Sequence, residues 1–215
     1  MLDWTTAKPE GIASGLFPFG QMPVLVHKQP SALPPEVVPQ SRAIMNYLGR
    51  LTGLYGGMTH PLMDMKVDAM IGGIEDVKGK WRAHFYGKDK TAEDIAAALP
   101  KYLEEVPAWL GFLEKLKAKN GGTWMVGDKI TLADYYAFET LDQALRTAPT
   151  LLDRFPGLKA FVPAFASRPN IKSYLEGTHG GPLRVAHTGG PDTEEAPGAG
   201  AEYLTALLAE HDKEL

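Results

Sequence analysis

Residues 17–25 read FPFGQMPVL and residues 37–56 read VVPQSRAIMNYLGRLTGLYG, and these two stretches decide how the first part of the chain folds. The apolar run over 22–26 predicts a strand, with Pro23 at its start, where the ladder needs no amide donor. Pro30, Pro34, Pro35 and Pro39 mark the segment between the stretches as a loop. Glu36, Val37 and Val38 leave room for a second, short strand. Ser41 then opens a helix as a natural N-cap, because Ile44, Tyr47, Leu48 and Leu51 recur at helical spacing, and Gly53 stops it.

Helical patterns follow throughout residues 58–177. Pro61 suits a first helical turn, and Met65, Ala69, Ile71 and Val77 continue an apolar side toward Trp81 and Phe85. A second long helix runs from Thr91 to about Lys117, and Pro100 and Pro107 are expected to bend or interrupt it. Trp109, Leu110, Phe112, Leu113 and Leu116 give its later part a dense apolar side. In GDKITLADYYAFETL (127–141), Thr131 is an N-cap and Asp134 reaches back to the free amides. That motif reads as structural, so Asp134 is not assigned to catalysis. Two short helices joined at Arg168-Pro169 close the zone.

Residues 178–215 form a third zone. It is Gly-, Pro- and acid-rich through Gly200; then Tyr203, Leu204, Leu207 and Leu208 share one side of an expected helix over 201–213. That helix either docks on its own domain or offers a handle to a partner protein. The domain division expected from these patterns is 1–57, 58–177 and 178–215.

Composition narrows the chemistry. Of the 215 residues 44% are hydrophobic and 22% charged, ordinary for a globular protein with a real core. A net charge of −4 gives no reason to expect a nucleic acid or an anionic membrane as partner. No apolar run approaches a bilayer span, and the N-terminus has no signal-peptide pattern, so the cytoplasm is the expected compartment. The absence of cysteine excludes disulfides, zinc–thiolate sites and a cysteine nucleophile. The histidines lack metal-ligand spacing, so no metal is expected.

Gln21-Met22-Pro23, Gln40-Ser41 and the Thr131–Asp134 capping motif together resemble the cytosolic glutathione transferases, nearest to their sigma and pi classes, over about residues 18–177. The resemblance implies a mostly α fold, in which a truncated thioredoxin-like α/β portion precedes an all-α domain. It implies that Pro23 is cis and that the Met22 backbone pairs with the cysteinyl part of glutathione. Gln40 and Ser41 would receive the γ-glutamyl carboxylate at a helix start, where free amides and the helix dipole favour an anion. Gln21 belongs to the same motif. Asp76 matches an acidic residue that reaches across a two-fold dimer to the partner's γ-glutamyl amine, and Tyr86 falls where members place an electrophile-pocket tyrosine. Trp4 and Lys8 are candidates for the glycine end.

The family's thiol-activating Tyr or Ser comes from a strand–helix–strand unit preceding these motifs. Such a unit needs about 30 or more residues, whereas only 1–17 stand before Pro18, with no strand-like segment and no tyrosine. The catalytic residue is therefore unassigned, and three accounts stand open. The chain is a catalytically impaired member acting as a structural or interaction subunit, a homodimer or part of a larger assembly. Alternatively, it is a working transferase that conjugates glutathione to small electrophiles, its true start lying upstream of Met1 or its thiol being activated in an unusual way. In the third account the tail supplies the absent strand and helix from 183–186 and 203–213.

Overall fold

The computed structural model describes residues 4–28, 34–55, 61–87 and 91–176. The expected tail helix over 201–213, the segment 183–186, part of the Pro-rich loop and the 57/58 boundary lie outside the described residues. Two compact units are present, Met1–His60 and Pro61–Leu215.

The first unit contains α1 (Trp4–Ala13), β1 (Val24–His27), β2 (Glu36–Pro39) and α2 (Ser41–Leu51). The stretch before Pro18 is thus a helix, with Pro9 inside it. No apolar stripe announces this helix. Phe17 is buried and lies over Gly11, where any Cβ would overlap its ring. The strands pair antiparallel, with Val24 opposite Pro39 and His27 opposite Glu36. Helix α2 packs on both strands, and its Ile44 and Gly49 are buried. Thr52 is its C-cap, and Gly53 beyond it, at φ 73°, lets the Leu54 amide reach the Gly49 carbonyl at 2.8 Å.

The elements described in the second unit are helices: α3 (Pro61–Phe85), α4 (Ala92–Asn120), α5 (Leu132–Thr147), α6 (Pro156–Ala166) and α7 (Pro169–Leu175). Helix α3 lies against α4 and α5, and α6 joins α4, α5 and α7. The buried side of α3 is Val67, Met70, Ile71, Ile74, Val77, Trp81 and Phe85. Met65 falls off that side and is exposed, which corrects the phase expected from sequence. Helix α4 runs unbroken through Pro100 and Pro107. Each proline costs one backbone hydrogen bond, but the flanking buried residues Tyr102, Val106, Leu110 and Leu113 hold the helix in place. Phe112 points outward, 60% exposed, against expectation.

Two carboxylates fix the helix ends. Asp134, fully buried, accepts the Met125 amide at 2.8 Å, the Thr131 amide at 2.7 Å and the Thr131 hydroxyl at 3.1 Å. Glu114 accepts the Gly157 and Leu158 amides at 2.7 and 2.8 Å, closing the first turn of α6 from another helix. At the far end of α6, the Arg168 guanidinium stacks 5.7 Å from the Trp124 ring.

Candidate functional site

The Met22-Pro23 peptide bond is cis. The register sets Val24 against Pro39, so Pro23 and Gln40 are the next residues outward at the same end of the ribbon. Gln21, Met22, Pro23, Gln40 and Ser41 are all exposed there. The structure thus places these five candidates around one turn and one helix start, whereas Trp4 and Lys8, the candidates for the glycine end, stand on α1.

Ser41 is not the N-cap. Gln40 occupies that position, and Ser41 is the first helical residue. Gln40 has φ 73° and ψ 114°, and its side chain makes no capping hydrogen bond. A non-glycine residue held there stores about 1–3 kcal/mol. Asn, Asp, Ser or Thr would normally relieve a helix start by bonding its free amides. Here the N-terminal amides of α2 have no side-chain cap from Gln40, and the strained residue stands beside them.

Three hydroxyls of this unit bond away from the cis turn. Ser14 donates to the Gly11 carbonyl at 3.3 Å, and Tyr55 donates to Asn46 Oδ1 at 2.7 Å. The Tyr47 hydroxyl lies 3.1 Å from His27 Nδ1, with the two rings edge-to-face at 5.6 Å. His27 is at the opposite end of β1 from Pro23. At about 3.3 Å per residue, Tyr47 is directed roughly 13 Å along the ribbon from the cis turn.

In the second unit, Asp76 is exposed on α3. Tyr86 follows that helix, 48% exposed, with the Arg82 guanidinium 5.0 Å from its ring. A charged network unmarked by any motif lies nearby in sequence. Glu105 accepts Lys80 Nζ at 2.6 Å and faces His84 Nε2 at 3.1 Å, so these donors, Lys80 first, hold its carboxyl below the usual range. Asp134 is pushed the other way: burial raises it more than its hydrogen bonds lower it. Burial also raises the Tyr102 phenol, whose hydroxyl has no hydrogen-bond partner. Among the described residues no group of three or more His, Cys, Asp or Glu could hold a metal ion. No described helix is long and apolar enough to cross a membrane.

A thioredoxin-like strand–helix portion with a cis-proline turn, followed by an all-helical unit, defines the glutathione-transferase type of fold. The family model "Glutathione S-transferase, C-terminal domain" matches residues 75–178. Glutathione S-transferase P of Caenorhabditis elegans is 37% identical over 174 residues, 80% of this chain and 74% of the relative. Glutathione S-transferase P of Bos taurus is 37% identical over 139 residues, 63% of this chain and 62% of its own length. The solved Onchocerca volvulus Pi-class glutathione S-transferase superposes with a TM-score of 0.68 at 29% identity, covering 86% of this chain and 82% of that one. The chain belongs to the glutathione S-transferase family.

Proposed function

We propose that the chain binds glutathione at the cis-proline end of its first unit and acts as a binding or structural subunit, without efficient thiol activation. Gln40 carries the reading: a strained residue whose side chain makes no cap, at the start of α2 and at the same ribbon end as the Met22-Pro23 turn, supports an anion at that helix start. The Met22 backbone pairs with the cysteinyl part of glutathione in the manner of an added strand. Gln40 and the α2 amides take the γ-glutamyl carboxylate, and Gln21 flanks them. In a homodimer, Asp76 reaches the γ-glutamyl amine on the partner, a favourable ammonium–carboxylate contact. Tyr86 borders the electrophile. The domain division 1–57, 58–177 and 178–215 belongs to the same reading.

Impairment is argued from the thiol. A free thiol has a pKa of about 8.5, so neutral-pH conjugation needs a donor that stabilises the thiolate. The hydroxyls of Ser14, Tyr47 and Tyr55 are engaged elsewhere. A working transferase is the second reading, favoured by the names of the relatives at 37% identity. The rate of glutathione conjugation to a generic aromatic electrophile, scanned over pH with the full chain, separates the two. Rates no higher than buffer are expected. A saturable rate well above buffer overturns impairment and makes the chain an enzyme.

A further inference from the structure

The last turns of α3 carry basic side chains at alternate positions: Lys78, Lys80, Arg82 and His84. All but Arg82 are committed to carboxylates of neighbouring helices. Lys78 Nζ donates to Glu139 of α5 at 2.7 Å, and Lys80 and His84 meet Glu105 of α4 at 2.6 and 3.1 Å. Those pairs tie α3 to its neighbours and call for no ligand. Arg82 differs. It is exposed, and among the described residues no carboxylate pairs with it. Its guanidinium lies instead 5.0 Å over the ring of Tyr86, one turn further on. A guanidinium over an aromatic ring uses its flat face for that contact and keeps its N–H edges for an acceptor. A carboxylate matches those edges with two parallel hydrogen bonds. The place otherwise disfavours an anion, because the last turn of α3 presents free carbonyls and the negative end of the helix dipole.

We infer that Arg82 determines specificity: the electrophile beside Tyr86 is an aromatic compound that carries an anionic group, with the anion on Arg82 and the ring on Tyr86. The inference rests on the reading above that Tyr86 borders the electrophile, and it names the class of compound that fits there. Tyr86 is 48% exposed with Arg82 over it, which leaves ring surface for an aromatic partner in an offset or edge-to-face contact. Lys78, one turn before Arg82, is held by Glu139, so Arg82 is the cation on this row of α3 that is placed to meet the ligand. A neutral compound of the same shape gains the ring contact alone.

The test is calorimetric titration of the full chain with para-chloro-meta-nitrobenzoate and with the corresponding uncharged benzamide, at low and at high salt. Wild type, Arg82→Gln and Tyr86→Ala are compared. Wild type is expected to bind the benzoate about three- to ten-fold tighter than the benzamide, with a preference that shrinks as salt rises. Arg82→Gln should make the two affinities equal or invert their order, while the benzamide stays within about two-fold of its wild-type affinity. Tyr86→Ala should weaken both compounds. Equal affinities in wild type, both lowered by Tyr86→Ala, overturn the anionic preference and leave the electrophile reading of Tyr86 in place. Affinities that Tyr86→Ala does not change, or no binding of either compound, overturn both. A preference for the benzoate that survives Arg82→Gln places the anion on another cation and also refutes the inference.

Discussion

Replacing Asp134 by Asn tests the capping site on which the helical unit depends. The carboxylate accepts two backbone amides on different oxygens, Met125 at 2.8 Å and Thr131 at 2.7 Å, plus the Thr131 hydroxyl at 3.1 Å. Asparagine keeps one oxygen and replaces the other with an NH2. Whichever way it turns, one buried amide faces a second donor. Each buried donor left without an acceptor costs about 1–3 kcal/mol, and two are created. Removing a desolvated charge returns part of that, since burial is the main influence on this carboxyl. The net loss is about 2–4 kcal/mol. For a chain of this size that lowers the melting temperature by roughly 5–15 °C. Thr131→Val, which removes the capping hydroxyl and leaves the Met125 and Thr131 amides paired, should cost less, about 0.5–2 kcal/mol. Differential scanning calorimetry of the three proteins reads the result. An Asp134→Asn protein that melts within about 2 °C of wild type would mean that the cap does not hold α5.

Three more outcomes are expected. Tyr102→Phe removes a buried hydroxyl that has no partner, so urea unfolding should show an unchanged or higher stability, by about 1 kcal/mol; a clear loss would reveal a bond to that oxygen. Gln40→Gly relieves the backbone at φ 73° and should stabilise the chain by about 1 kcal/mol, net of the extra freedom of unfolded glycine, while weakening glutathione binding. Stability without loss of binding would remove Gln40 from the site. The Glu105 carboxyl is depressed, so its contribution is present above the ordinary carboxylate range and is lost as pH falls through its lower folded value. Glu105→Gln should therefore melt below wild type near neutrality, with the gap closing in acid, whereas a gap that widens in acid would contradict the sign. Burial gives Asp134 the opposite slope, stability falling as pH rises through its raised value.

The candidate site was legible through the resemblance carried by Gln21-Met22-Pro23 and Gln40-Ser41, whereas local rules alone reach only its frame. A strand opened by Pro23, the proline-rich loop and the helix near Ser41 each follow from short-range rules. The Thr131–Asp134 cap follows in the same way. What was hidden depends on dihedral angles or on distant contacts. Nothing in the letters QS says that Gln40 takes a positive φ and pushes Ser41 one place into the helix. Helix α1 has no apolar stripe to betray it and carries Pro9 inside. The outward turn of Phe112 depends on which side of α4 faces α3, and period counting gave too wide an apolar side. Glu114 capping α6 and Glu105 joining Lys80 to His84 link residues on different helices, where no local pattern reaches.

The most direct measurement is a calorimetric titration of the full chain with glutathione and, separately, with the analogue whose thiol is replaced by a methyl group. The account predicts saturable binding of both, with dissociation constants within about two-fold, since the grip is on the backbone and the γ-glutamyl end. No binding of either would contradict a glutathione site at Met22, Gln40 and Ser41. Glutathione binding ten-fold or more tighter than the analogue, with proton release, would show that the chain stabilises the thiolate and is built to use it.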